Sequence, residues 1–164
     1  MIRFARIATP LGALFATAAD GVITGIYFEG GRHAPAVSGE WREDRAHAPL
    51  GACAAQLGEY FRGARERFDL PLAPAGTEFQ LRVWSEIALI PFGRTLTYSE
   101  LAARAGSPGS ARAAGAATGR NPLSIVVPCH RVIGADGSLT GYAGGLDRKT
   151  RLLEIEGAPL ATLA

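Results

Sequence analysis

The sequence contains few cysteines and histidines, and it has no long apolar run. Two cysteines among 164 residues cannot form a disulfide scaffold, so we expect free thiols in a reducing compartment. Together with the three histidines they match no zinc-ligand spacing, which predicts no metal. We also expect no other cofactor. No apolar run reaches the roughly 18 residues of a membrane span, and no secretory signal opens the chain, which predicts a cytoplasmic protein without a membrane partner.

Net charge is also small, at +2, and by itself indicates no nucleic-acid partner. Its distribution is more informative, because one stretch has five arginines and a single acid, Glu100. Such a local excess suits a phosphate backbone, although a solvated arginine-rich surface explains it equally well. These arginines are Arg94, Arg104, Arg112, Arg120 and Arg131. Lysine is nearly absent, since Lys149 is the one lysine among 17 basic residues.

The first third of the chain has the pattern of a small antiparallel sheet. Three runs rich in β-branched and aromatic residues, at 2–9, 13–19 and 22–29, are separated by short turns. Asp20-Gly21 between the last two is a strong hairpin signal, because both positions of such a turn require positive φ. The spacing therefore predicts a three-stranded meander.

A loop, a helix and a domain boundary are predicted next. Residues 30–48 are polar and contain glycine and proline, so we expect a loop. Apolar residues then recur at helical spacing, which predicts a helix over 49–62 with Cys53 packed on or beside its apolar side. A further short strand is expected at 68–72, and a run of proline and glycine ends this first domain at residue 76.

The second half of the chain changes to helical signals. Two capping boxes, Thr77 to Gln80 and Thr97 to Glu100, predict helices over about 77–90 and 98–105. Ser107, followed by Pro108, is expected to cap a third helix that runs to about residue 118. Two short helices joined by a tight glycine-containing turn form a helix-turn-helix.

The second helix of this pair has an unusual composition. Residues 110–117 are almost entirely small, with Arg112 as the single long side chain. Small residues favour either a close helix–helix contact or a helix pressed into a nucleic-acid groove with Arg112 as its probe. Base reading in the major groove usually needs several polar side chains. We therefore expect little sequence specificity.

The most informative motif places a cysteine and a histidine side by side. Cys129 and His130 follow Pro128, which fixes its own φ and has no backbone donor. A thiolate is a strong nucleophile, and neighbouring cations such as Arg131 lower the pKa of a thiol. Such a pair needs a third group to orient the base, for which Glu156 is a candidate, although a solvated carboxylate at a helix end is the more common role.

These motifs together resemble a known family. The run 77–158 is similar to the O6-alkylguanine-DNA alkyltransferases, also called methylated-DNA–protein-cysteine methyltransferases, in their stand-alone bacterial-type form. The similarity is carried by Ile90-Pro91-Phe92-Gly93, Thr97-Tyr98, Ala111-Arg112-Ala113, Gly119-Arg120-Asn121-Pro122, Val127-Pro128-Cys129-His130-Arg131-Val132-Ile133-Gly134 and Gly141-Tyr142-Ala143-Gly144-Gly145-Leu146. The first third resembles the family more loosely, chiefly at Ala8-Thr9-Pro10-Leu11-Gly12.

The resemblance implies a fold and a partner. It implies an α+β protein with two domains. The domain at 1–76 is ribonuclease H-like and consists of a small antiparallel sheet with a helix. The domain at 77–164 is mostly helical and contains the helix-turn-helix. The implied partner is double-stranded DNA carrying O6-alkylguanine, with O4-alkylthymine as a poorer substrate. We expect a monomer that acts on a base flipped out of the duplex.

The resemblance also implies roles for individual residues. Cys129 would accept the alkyl group irreversibly, once per molecule. His130 would activate the thiol through a water, Glu156 would support His130, and Asn121 would connect the recognition helix to the active-site motif. The residues implied in DNA binding and base flipping are Tyr98, Ser99, Ser107, Ala111 and Arg112. Tyr142, Ala143 and Gly144 would line the base pocket, where Ala143 replaces the hydroxyl residue of some members.

Two other functions remain open from the sequence. A non-catalytic relative would bind alkylated DNA and flag it for another pathway, but such proteins lack the cysteine at the position of Cys129. A thiol hydrolase would explain the Cys-His pair and would turn over, but it leaves Arg112 and the helix-turn-helix without a role.

Overall fold

The computed structural model describes residues 1–159, and the last five residues of the predicted second domain lie outside it. The chain forms two compact units. One comprises Met1–Ala75 together with Pro122–Ser124, and the other comprises Gly76–Asn121 and the chain from Ile125 onward. The first unit is therefore discontinuous in sequence.

A four-stranded sheet forms the first unit. The strands are β1 (Arg3–Ile7), β2 (Leu14–Ala19), β3 (Val22–Phe28) and β4 (Arg42–Glu43), in the order β3-β2-β1-β4. The first three form the predicted antiparallel meander. Asp20 and Gly21 both have positive φ, as the hairpin signal requires.

The edge of β3 is covered by two segments from elsewhere in the chain. The carbonyl of Pro71 accepts from Ile23, and the carbonyl of Pro122 accepts from Ile26, each at 2.7 Å. The predicted strand at 68–72 is therefore wrong, because only Leu72 pairs, in a single bridge to Ile23. The two segments satisfy backbone groups that an open edge would leave exposed.

One helix packs on this sheet. Helix α1 (Ala48–Phe61) lies within one residue of its predicted bounds, with proline in its first turn. Its apolar side buries Leu50, Leu57 and Tyr60. Cys53 is fully buried, and burial raises the pKa of its thiol to about 12, which confirms a packing role for this cysteine.

The second unit is mostly helical. It contains α2 (Glu78–Ala88), α3 (Tyr98–Arg104), α4 (Ala111–Gly119) and α5 (Leu146–Ile155). Two short strands pair in parallel in this unit. Strand β5 (Leu96–Thr97) precedes α3, and strand β6 (Val132–Ile133) follows a 3-10 turn at Cys129–Arg131. Both predicted capping boxes are present, with Thr77 and Thr97 each accepting from the backbone three residues later. This architecture confirms the α+β class.

Helices α3 and α4 pack against each other and against α2. The indole of Trp84 on α2 donates to the carbonyl of Ala117 at 2.8 Å, which fixes the second half of α4. Ala114 and Ala117 of α4 are buried, and Gly115 lies beside the ring of Tyr98, the first residue of α3. The small residues of α4 thus serve close packing inside the unit.

Two further local predictions differ in part from the structure. The third helix begins at Ala111 with Ser110 as its N-cap, rather than at Pro108 with Ser107 as its cap. Residues 107–110 form a turn in which Gly109 has φ +84° and the backbone N–H of Ser110 donates to the carbonyl of Ser107. A left-handed residue cannot continue a right-handed helix. The loop predicted at 30–48 contains β4, which pairs in parallel with β1 over two residues, too few to give a periodic signal.

Candidate active site

The thiol of Cys129 lies at the start of the 3-10 turn that follows Pro128. Its side chain is buried, with 6% of the residue exposed. Backbone hydrogen bonds from Cys129 to Val127 at 2.8 Å and from Arg131 to Pro128 at 2.9 Å define the turn. The stiff Pro128 backbone thus holds a nucleophile that is almost wholly shielded from solvent.

His130 is paired with Glu156 in the interior. Its Nε2 lies 2.8 Å from Oε2 of Glu156, and both side chains are fully buried. Burial lowers the pKa of His130 despite the attraction of Glu156, so the imidazole is neutral. Because the carboxylate accepts from Nε2–H, the lone pair of the ring is on Nδ1. Among residues 1–159, no hydrogen-bond partner occupies Nδ1, which leaves this atom to take a proton.

Arg131 clamps the same carboxylate. Its Nε lies 2.8 Å from Oε1 of Glu156 and its Nη2 lies 2.9 Å from Oε2, while Nη1 donates to the carbonyl of Ile90 at 2.6 Å. Burial would raise the pKa of Glu156, but hydrogen bonds from His130 and Arg131 outweigh it and lower the pKa to about 2. The solvated role that the sequence favoured for Glu156 is therefore wrong.

The cations near Cys129 differ from those expected. Arg131 does not serve the thiol, because Glu156 and Ile90 occupy its guanidinium, and it is not available to a phosphate backbone either. Burial raises the pKa of the Cys129 thiol, against the effect of the Asn121 side chain, the charge on Lys149 and nearby backbone N–H groups. The resting thiol is therefore protonated at neutral pH and needs a base.

Asn121 links α4 to the thiol. It follows the C-cap of α4, is buried, and its Nδ2 donates to the carbonyl of Val127 at 2.8 Å. Its side chain also hydrogen-bonds Cys129 and lowers the pKa of that thiol. Asn121 thus contacts both the residue before Pro128 and the sulfur of Cys129, which agrees with the connecting role that the resemblance implies.

One residue of the site escaped the sequence analysis. Lys149 on α5 is fully buried, and its Nζ donates to the carbonyls of Val132, Thr140 and Gly141 at 2.7, 2.9 and 3.3 Å. A lysine in a helical segment is usually solvated, so the pattern gave no warning. The available signal was its rarity in an arginine-rich chain.

The predicted pocket residues directly follow Thr140 and Gly141, whose carbonyls accept from Lys149. Tyr142, Ala143 and Gly144 are each half-buried and precede α5, whose N-cap is Gly145. Tyr98 is half-buried at the start of α3, and its hydroxyl donates to the carbonyl of Thr140 at 3.2 Å. The structure therefore brings Tyr98 to the same segment as the pocket residues.

The remaining predicted DNA-contact residues lie on the surface of the helix pair. Arg112 and Ser99 are exposed on α4 and α3, whereas Ser107 and Ala111 are half-buried in and after the intervening turn. Arg112 has no ion-pair partner among the described residues. Its guanidinium is thus available to a ligand.

Neither a metal site nor a membrane span is found in the described part of the chain. Residues 1–159 contain no cluster of three or more His, Cys, Asp or Glu that could bind a metal ion. In the same range no helix has the length and apolar character needed to cross a bilayer. The absence of a cofactor stays a prediction.

Known proteins are similar to this chain in sequence and in structure. The methylated-DNA–protein-cysteine methyltransferase of Mycolicibacterium paratuberculosis is 46% identical over 156 residues, 95% of this chain and 93% of that protein. A crystal structure of Mycobacterium tuberculosis OGT in complex with DNA has a TM-score of 0.86 at 42% identity, covering 96% of this chain and 95% of that one. The O6-methylguanine-DNA methyltransferase of the archaeon Pyrococcus kodakaraensis gives 0.65 at 25% identity, covering 96% and 100%.

Family matches cover nearly the whole chain. Residues 2–74 match the ribonuclease-like domain of 6-O-methylguanine DNA methyltransferase, and residues 78–158 match its DNA binding domain. The second match contains the thiol, the buried His-Glu-Arg cluster and the helix pair. On these matches, and on the identity that extends along the chain, the protein belongs to the 6-O-methylguanine DNA methyltransferase family.

Proposed function

We propose that this protein repairs DNA by direct damage reversal, as a methylated-DNA–protein-cysteine methyltransferase. It transfers a methyl or alkyl group from O6-alkylguanine, and more weakly from O4-alkylthymine, to its own Cys129. The observation that carries this proposal is the buried thiol of Cys129 next to the neutral imidazole of His130. Glu156 accepts from Nε2 of this imidazole, which leaves Nδ1 as the basic atom. The family membership of the chain supplies the substrate class.

The chemistry follows from the protonation states. The Cys129 thiol is protonated at rest, and Nδ1 of His130 takes its proton through a bridging water, forming the thiolate. The sulfur attacks the alkyl carbon, so an S–C bond forms while the C–O6 bond breaks. The electron pair stays on the guanine, which takes up one proton and is restored. Glu156 stabilises the imidazolium that forms.

A thioether product explains single use of each molecule. A carbon–sulfur single bond is not hydrolysed as a thioester is, and the other cysteine of the sequence, Cys53, is a buried residue of α1. Each molecule therefore accepts one alkyl group. As a separate inference, we expect the protein to act as a monomer. The reaction is stoichiometric repair without turnover.

Access to the lesion requires base flipping, because the reacting carbon lies inside the duplex stack. We assign DNA binding to the helix pair α3 and α4. Ser99, Ser107 and Ala111 contact the sugar-phosphate backbone of the DNA. The exposed Arg112 fills the place that the base leaves, and Tyr98 crowds the phosphate of the rotated nucleotide. Tyr142, Ala143 and Gly144 line the pocket, and Ala143 offers the base its backbone rather than a hydroxyl.

Mass spectrometry of the protein mixed with a duplex carrying one O6-methylguanine tests the proposal. The expected result is a mass gain of one methylene group on the Cys129 peptide, absent in Cys129→Ser, with Cys53 unmodified. An unmodified protein that retains the duplex would instead indicate a lesion-binding relative. Hydrolysis of ester or amide substrates with turnover would indicate a thiol hydrolase.

A further inference from the structure

The single lysine of the chain is among its most deeply buried side chains. Lys149 is fully buried on α5, whereas the sixteen other basic residues of the chain are arginines. Burial of a long cationic side chain costs free energy unless the charge is compensated. No carboxylate lies within ion-pair distance of Nζ among residues 1–159. A role in the folded protein must therefore offset that cost.

The ammonium group joins parts of the chain that are distant in sequence. It donates to Val132 on β6 and to Thr140 and Gly141, which lead into the pocket residues 142–144. The carbonyl of Thr140 also accepts from the hydroxyl of Tyr98. One nitrogen atom thus ties α5, β6 and the pocket segment together, beside the first residue of α3.

A lysine suits this position better than an arginine. Three donors on a compact tetrahedral group match three carbonyls that converge on one point, whereas the guanidinium fork is planar and wider. The ring of Tyr98 adds a further contact, with its centroid 5.8 Å from Nζ. Carbonyls and the ring solvate the cation without neutralising it.

The charge of Lys149 faces the titratable groups of the site. These are Cys129 and His130 on the 3-10 turn, which packs against α5, and Tyr98 at the start of α3, while Arg131 and Glu156 neutralise each other. Burial lowers the pKa of Lys149 to about 8, and the thiolate form of Cys129 opposes this lowering. The charge of the thiolate would therefore compensate that of Lys149.

We propose that Lys149 is a positioning residue for alkyl transfer, which holds residues 140–141 in place and sets a positive charge opposite the Cys129 thiolate as it forms. This inference rests on the proposed function. It gives the buried cation a partner that exists only during the reaction, so the favourable interaction appears where it accelerates the chemical step.

Lys149→Met tests the proposal because it keeps the stem and removes the charge. Single-turnover transfer from a saturating O6-methylguanine duplex is measured between pH 6 and 9, with binding to undamaged duplex measured alongside. We expect the maximal rate to fall at least tenfold and the rising limb of the pH profile to move to higher pH. Affinity for undamaged duplex should stay within about twofold of wild type.

Arg151→Met is the matched control, since it removes a positive charge from an exposed position of the same helix. It should transfer at the wild-type rate. If Lys149→Met does not fold, Lys149→Gln retains a donor for the carbonyls without the charge and should show the same shift of the pH profile. A wild-type profile and rate in the folded variant would overturn the inference. Failure of the wild-type protein itself to accept a methyl group would overturn the proposed function instead.

Discussion

Arg131 and Glu156 form a buried ion pair in which each residue prevents the other from being an isolated charge. The guanidinium makes two hydrogen bonds to the carboxylate and a third to the carbonyl of Ile90. With His130 as the third partner, both oxygens of Glu156 are satisfied. The cluster keeps the carboxylate ionised and the imidazole correctly oriented at the same time.

Removal of the clamp should destabilise the protein strongly. Arg131→Met leaves Glu156 buried with only a neutral histidine, and loss of one partner of a buried pair typically costs about 3–5 kcal/mol. The free energy of unfolding from denaturant titration measures this cost. Arg131→Met combined with Glu156→Gln should lose less than the sum of the single variants, because no uncompensated charge remains. Strictly additive losses would show that the two residues act independently.

Acid should destabilise the fold through the same cluster. The pKa of Glu156 is lowered from its ordinary 4.5 to about 2, so the unfolded state binds more protons between these values. Stability from this residue is complete above pH 4.5 and is lost as pH falls toward 2, on the order of 3 kcal/mol at ~1.4 kcal/mol per pKa unit. His130, with its pKa lowered by burial, acts in the same direction below about pH 6.5.

Unfolding of wild type and Glu156→Gln as a function of pH separates the two contributions. In the variant, the free energy of unfolding should no longer fall steeply between pH 4.5 and 2. The shallower pH dependence due to His130 should remain. Parallel curves for the two proteins would contradict the assignment to Glu156.

At the scale of single elements, the two helices of the helix-turn-helix begin in different ways. Thr97 caps α3 with its side chain, whereas Ser110, at the equivalent position of α4, makes no such bond. Thr97→Ala should therefore lower the free energy of unfolding by about 1 kcal/mol. Ser110→Ala should leave it nearly unchanged. Equal losses in thermal or denaturant unfolding would mean that the two caps do not differ.

Helix α4 offers one long side chain to a ligand, and its loss should affect repair of duplex DNA. Extruding a base costs a few kcal/mol, so if Arg112 offsets about 2 kcal/mol, Arg112→Ala slows transfer from a saturating duplex by roughly thirtyfold. Arg120→Ala removes a charge just beyond the other end of α4 and serves as the control. A similar loss in both variants would indicate that only charge matters.

Elements with strong local signals were predictable, and elements held by distant partners were not. The hairpin at Asp20-Gly21 and both capping boxes satisfy their own backbone groups, so the sequence alone placed them. Strand β4 exists because two residues pair with β1. The start of α4 depends on the left-handed conformation of Gly109. Nothing in the sequence indicated this conformation, and the Ser107-Pro108 pattern predicted an earlier start.

At the scale of the whole molecule, the chain passes between its two units more than once. Pro122–Ser124 belongs to the first unit, although the residues on either side belong to the second. Ser124 donates to the carbonyl of Ile26 at 3.0 Å, so the run between Asn121 and Ile125 extends the edge of the first sheet. We propose the domain boundary near residue 76 with this later segment as an addition to the first domain.

The candidate site was predictable where a motif named it. Cys129 and His130 lie in one recognisable motif and Asn121 in another. Glu156 was a candidate to orient His130, and the burial of its side chain now favours that role over a solvated carboxylate. The bidentate contact of Arg131 and the burial of Lys149 were not predictable, because both depend on how α5 packs against the 3-10 turn. Sequence spacing carries no information on that packing.

The stoichiometry of repair tests the central claim most directly. The protein is mixed with increasing excesses of duplex carrying O6-methylguanine, and restored guanine is counted per molecule of protein once the reaction stops. Irreversible transfer to Cys129 predicts a plateau at one restored base per molecule, with none for Cys129→Ser. A count that keeps rising with added duplex, or no restored guanine from the wild-type protein, would contradict the account.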